Sequence, residues 1–192
     1  MNPNPAVISE PRSRRRGRLQ LVFLVLVAVV PMVLATSMYQ FGFWVPKSRT
    51  YHGQLIATGQ SRADLGVTAD ERRWQLLVSA PTRCTADCQQ LVYLARQVQI
   101  GLGRDAARAT HALATGQALS VDYAEKLERE YAEIKRYPLE LSRYWQTVPG
   151  LDEPQLWIVD PHGNLVLRYG AQVNGKDLLE DLRRLLKLSN IG

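Results

Sequence analysis

Cysteine is almost absent from this chain: two residues in 192, Cys84 and Cys88, with only three histidines beside them. Zinc asks for four ligands, and no further cysteine or close histidine is available to complete such a set. Also missing are a phosphate-binding loop, a dinucleotide fingerprint, a GxSxG elbow and a paired-carboxylate constellation. The nearest glycine-rich run, Gly101-Leu102-Gly103-Arg104, lacks the strand-to-helix context that phosphate binding needs. There is no internal repeat and no low-complexity tract. Charge is missing altogether from 28 consecutive residues, Leu19 to Pro46.

That uncharged run is the first positive signal. About 20 helical residues cross a hydrocarbon core, and Leu21 to Ala35 is almost wholly aliphatic. Pro31 lies inside it, where membrane helices tolerate proline better than soluble ones do. Tyr39, Phe41, Phe43 and Trp44 follow as an interfacial belt would. Arg12, Arg14, Arg15, Arg16 and Arg18 precede it, and the positive-inside rule keeps them cytoplasmic. Residues 1–18 therefore read as a basic cytoplasmic N-terminus and 19–44 as a transmembrane signal-anchor. The alternative is a cleaved signal peptide with Ala35-Thr36-Ser37 as the cut site. Either way the cysteines are exported, into a compartment that permits disulfides. This is the inner membrane, with the C-terminal domain in the periplasm.

The formal charge of +6 follows from this topology. Five arginines and Glu10 give +4 before residue 45, leaving +2 from 19 basic and 17 acidic residues. Such balance in the exported part leaves no footprint for nucleic acid. The arginine run suits lipid headgroups of the bilayer instead.

Residues 45–71 read as a linker and 72–192 as one domain with a real core. Arg73 to Ser79 is an apolar strand. Gln89 to Leu102 has helical periodicity and stops at Gly101-Leu102-Gly103. Arg108 to Ala114 is a second strand. Val121 to Tyr137 reads as one amphipathic helix ended by Pro138, with a further helical turn or two in 139–147. Gln155 to Val159 and Asn164 to Tyr169 form a hairpin around Asp160-Pro-His-Gly163, and Lys176 to Leu188 closes the chain as a helix. The early β-α-β unit makes parallel neighbours by a right-handed crossover, and the hairpin adds antiparallel edge strands. The fold class is α/β, a mixed sheet with flanking helices.

Cys84 and Cys88 then fall where the first core strand gives way to a helix. A helix N-terminus favours a thiolate there, and Arg83 adds to it, while Asp87 opposes it or caps the helix. The pair is a redox dithiol, a passive staple of the helix start, or a linear copper(I) site. Bland readings suit the histidines: His52 in the linker, His111 in a strand, His162 in a turn.

The element order, with its cysteines at the end of the first core strand, resembles the thioredoxin superfamily. Within it the chain is similar to the SCO-type copper-chaperone family of cytochrome oxidase assembly. The cysteine spacing, the single N-terminal anchor, Leu102-Gly103-Arg104-Asp105 with Arg108, and Leu156-Trp-Ile-Val-Asp-Pro-His-Gly163 with Leu165-Val and Tyr169 carry the likeness. It implies copper(I) as cofactor or cargo, cytochrome c oxidase subunits or other assembly factors as partners, and thiol-disulfide chemistry at Cys84 and Cys88. The family's copper histidine lies eleven residues before the hairpin glycine, and here that position is Asp152. A proline usual after the second cysteine is Gln89. Pro154 stands where redox-active relatives place a cis-proline beside the cysteines, so a cis bond is expected there. The missing histidine tilts the expectation toward thiol chemistry. The alternative is a non-catalytic membrane-anchored scaffold of degenerate thioredoxin fold, with a passive Cys84-Cys88 disulfide.

Overall fold

The computed structural model describes residues 13–41, 51–56 and 58–189. They fall in two compact units, divided between Ser48 and Arg49. The first is a single helix, α1 (Ser13–Phe41), with Pro31 inside it. Its stretch Gly17–Met38, 22 residues of mean hydropathy 2.6, is long and apolar enough to cross a membrane. At 1.5 Å per residue that stretch measures about 33 Å. Phe43 and Trp44 of the expected belt lie outside the described residues.

The second unit is built on six strands: β1 (Gln54–Leu55), β2 (Trp74–Ala80), β3 (Ala109–Thr115), β4 (Lys135–Pro138), β5 (Gln155–Val159) and β6 (Leu165–Tyr169). Their order across the sheet is β1-β6-β5-β2-β3-β4. β2 runs parallel to β3 and antiparallel to β5. All seven residues of β2 are buried, polar Gln75 and Ser79 among them, because a strand covered on both faces is buried at every position rather than at alternate ones. Helices α2 (Ala86–Gly101), α3 (Val121–Glu130) and α5 (Gly175–Leu188) share one apolar layer with Leu76, Val78, Leu156 and Ile158. On the opposite face, α4 (Leu141–Thr147) joins Leu77, Ala112, Trp157 and Val159 in a second layer. The expected mixed sheet with helices on both faces is present.

Three expectations need correction. The helix beginning at Val121 ends at Glu130, and Lys135–Pro138 is a strand parallel to β3. The amphipathic stripe of Tyr123 and Leu127 is real, but the free edge of β3 then captures the backbone. Pro138, taken as a helix stop, also pushes Tyr137 toward extended geometry. It suits an edge strand, which needs no further donor on its open side. Neither hairpin strand is an edge: β6 lies between β1 and β5, and β5 lies between β2 and β6, where its unbroken buried run is the mark of an interior strand.

The stretch expected as a linker, 45–71, belongs largely to the domain. Beyond β1, which pairs with β6, Ile56 donates to Val166 and Leu165 to Gln60. Leu65 and Val67 are buried in the second layer. Glu71 is buried beneath two cations: Arg73 grips it through Nε and Nη2 at 2.9 and 3.0 Å, and Lys135 Nζ lies 2.7 Å away. The hydrogen bonds from Arg73 lead in lowering its pKa from 4.5 to about 2, against the opposing effect of burial. A depressed carboxylate contributes stability that is complete above its unfolded value and lost as pH falls through the folded one. The unfolding midpoint of the full chain in detergent should therefore drop between pH 4.5 and 2. In Glu71→Gln that part of the acid sensitivity should be gone, with a lower midpoint at neutral pH.

Candidate functional site

β2 ends at Ala80, and the chain turns through buried Pro81 and exposed Thr82 and Arg83 to reach partly exposed Cys84. Thr85, with φ −82° and ψ −169°, is the N-cap residue of α2. Its backbone carbonyl accepts from Gln89 N at 3.0 Å. Cys84 thus precedes the helix, while Cys88 sits in its first turn. That difference brings the Cα atoms to 5.0 Å, and the two sulfurs are bonded to each other. Had both cysteines been helical, the pair would have met only with adjustment; Cys84 instead sits at the centre of a tight turn, closed by the Thr85 amide donating to the Arg83 carbonyl at 2.9 Å. Cys88 is fully buried in the apolar layer under α2, and Cys84 packs against that layer from outside.

The strand register carries two other expected residues to this end of the sheet. Gln155 pairs with Ser79, so Pro154 arrives beside the close of β2. Thr82 Oγ1 donates to the Asp152 carbonyl at 3.3 Å, tying the loop before β5 to the cysteine loop. Pro154 is buried, but no described peptide bond is cis, which corrects the expected isomer.

Neighbouring residues that sequence reasoning passed over hold the site in place. A Cβ on Gly116 would lie 2.6 Å from the Pro81 carbonyl oxygen and 2.4 Å from Leu141 Cδ2. The Gly116 amide donates to Ala80 at 2.9 Å. Only glycine lets the loop after β3 press this closely on the cysteine loop. Behind the sheet, Trp157 Nε1 donates to Ser79 Oγ at 2.8 Å, and Tyr144 Oη lies 3.5 Å from the same hydroxyl. A glycine directly after a strand was the available signal for the first; nothing in the sequence paired Ser79 with Trp157.

The histidines stand apart from the cysteines. His162 is in the hairpin turn at the far end of β5, where its amide donates to Asp160. His111 is buried on β3 against Gln99, whose own side-chain nitrogen donates to the Ala109 carbonyl. Burial lowers the His111 pKa to about 4, so the ring is neutral. His52 bonds to Asp181. Among the described residues, no three histidine, cysteine or acidic side chains are grouped to hold a metal. At the cysteines the donor set is two sulfurs already bonded together, and exposed Asp152 meets the cysteine loop through its backbone carbonyl. That set does not fit a soft copper ion as it stands.

Residues 74–189 match the family described as transmembrane-like, thioredoxin-like, C-terminal domain, and residues 11–42 match its transmembrane-like N-terminal domain. The chain belongs to this transmembrane-like, thioredoxin-like family. No curated protein matches it. Among solved structures it is similar to copper-bound ScoI of Arabidopsis thaliana, at 9% identity and a TM-score of 0.49 over 62% of this chain and 88% of that one. Copper-bound yeast Sco1 gives 11% and 0.49 over 62% and 81%. A putative thiol:disulfide interchange protein DsbE from Chlorobium tepidum gives 15% and 0.44 over 62% and 83%. The family assignment rests on the match to residues 74–189, and the chemistry on the chain's own side chains.

Proposed function

We propose that this family member is a membrane-anchored thiol-disulfide exchange factor, held by α1 with its domain on the exported side of the cytoplasmic membrane. One observation carries the reading: a disulfide at the C-terminal end of the central strand, with one sulfur partly exposed and the other buried. A structural staple closing so short a loop would contribute little, since the entropy removed from the unfolded chain is small. In the reduced protein the Cys84 thiolate, favoured by the N-terminus of α2, attacks a partner's disulfide and forms a mixed disulfide. One partner sulfur leaves as a thiol. Cys88 then displaces the other, so the partner ends with two thiols and the pair is oxidised to the bond seen here. A dithiol donor on the exported side must reduce the pair again. The SCO-like motifs point to a copper-site disulfide in a cytochrome c oxidase subunit as the partner.

Copper(I) belongs to this proposal as cargo of the reduced pair, subordinate to exchange because oxygen at Asp152 is a poor third donor for a soft ion. Copper(I) titration of the reduced full chain in detergent separates the two. Stoichiometric binding that vanishes in Cys84→Ser/Cys88→Ser supports the cargo role; binding retained in that variant sinks it. Oxidase activity in cells carrying the double variant tests the assembly role. Normal activity, with a pair reducible only under strongly reducing conditions, would establish the scaffold reading instead.

A further inference from the structure

Asp181 on α5 is fully buried, yet its carboxylate is surrounded by donors. Oδ2 accepts from the backbone amides of His52 at 2.7 Å and Gly53 at 3.0 Å, and from Tyr169 Oη at 2.7 Å. Oδ1 faces His52 Nδ1 at 3.0 Å. Gly53 is needed for this approach, since a Cβ there would fall 2.5 Å from the Tyr169 ring. A carboxylate taken out of water is tolerated only when satisfied this completely. Three of the four donors come from the first described stretch after α1, so this buried acid fastens residues 52 and 53 just ahead of the β1–β6 pairing.

We propose that this cluster is a pH-responsive clasp, in which protonated His52 fastens residues 51–53 to α5 and deprotonated His52 lets them loosen. Half-exposed His52 can exchange its proton with solvent. From α5 it faces Asp181, Asp177 (3.9 Å from Nε2) and Glu180. From β6 the Tyr169 hydroxyl shares the Asp181 carboxylate with it. In its own segment is Tyr51, over whose ring Arg184 of α5 lies. The balance is acidic and raises the His52 pKa above 6.5, the hydrogen bond to Asp181 leading and desolvation opposing. Burial and then Asp181 itself keep Tyr169 protonated, so its donation is constant and His52 is the member that titrates. A raised histidine contributes its full share below pH 6.5 and loses it as pH rises through the raised value. The amide and tyrosine bonds stay in place, so the segment loosens by degree. The same residues wall a cavity of about 930 Å³ with Gln155, Tyr169 and Asp177. Its position follows from the sheet: Tyr169 pairs with Leu156, one step from the Gln155–Ser79 pair near the cysteine loop. Changes in pH thus alter this wall, at the end of the sheet where β2 closes.

Hydrogen exchange on the full chain in detergent tests this. Protection of the 51–55 amides, corrected for intrinsic rates, should fall about fivefold or more between pH 6 and pH 8.5, the scale of losing one charge-assisted bond. Helix α2, as internal control, should not change. His52→Gln should show equal protection at both pH values. Asp181→Asn should lose it at both; if α2 is unprotected as well, that variant has misfolded and His52→Gln decides alone. Wild-type protection that ignores pH, or a fall that survives in His52→Gln, overturns the clasp.

Discussion

Replacing Trp157 with alanine should cost about 3–5 kcal/mol, the range for emptying a large aromatic site in a packed core. Trp157 is fully buried in β5 and belongs to the layer that includes α4. Its indole N–H is satisfied by Ser79, and Arg168 from β6 stacks 5.7 Å from the ring centroid. Alanine would remove the ring contacts and leave the Ser79 hydroxyl with only the distant Tyr144 partner. Domains are stable by roughly 5–15 kcal/mol in all, so this is a large fraction. Denaturation of the full chain in detergent, followed by circular dichroism, reads it directly. Ser79→Ala serves as the comparison and should cost about 1 kcal/mol, the worth of one net hydrogen bond. A loss below about 1 kcal/mol for Trp157→Ala would mean that this layer does not hold the sheet together.

The parts of this fold that were legible are those where one physical signal dominates. The mostly apolar run Trp74-Gln-Leu-Leu-Val-Ser79 announces β2, and the leucines of α5 recur at helical spacing over a charged face. The anchor was readable because 28 uncharged residues have few other uses. Where two signals compete, the sequence reading went astray. The stripe of Tyr123, Leu127 and Tyr131 ran on toward Pro138, and only pairing with β3 decides that 135–138 is extended. The clasp was invisible because its partners, His52 and Asp181, are 129 residues apart and each looks ordinary alone. At the site, the cysteines were marked by their place between strand and helix, and the nearness of Pro154 and Asp152 was what the family resemblance implied. The Pro154 isomer was not legible, because the intrinsic preference of an X-Pro bond is small and its surroundings decide it.

The two cysteines should not be equivalent when removed singly, and the difference is the sharpest test of the exchange chemistry. Cys84 is partly exposed, whereas Cys88 is fully buried. In Cys88→Ser the thiol of Cys84 remains accessible at the N-terminus of α2. It can attack a partner's disulfide, but no second thiol is left to resolve the product. Mixed disulfides should accumulate and appear as reducible adducts on non-reducing gels of membranes. In Cys84→Ser the remaining thiol lies beneath the helix, out of reach of a partner's sulfur, and burial among apolar groups disfavours its thiolate. Adducts should fall at least about tenfold relative to Cys88→Ser, corresponding to about 1.4 kcal/mol or more in the barrier to attack. Equal trapping by both variants would show that Cys88 reaches solvent and that the asymmetry does not order the reaction. No trapping by either, with both proteins folded and inserted, would leave the disulfide as a staple and remove the exchange mechanism.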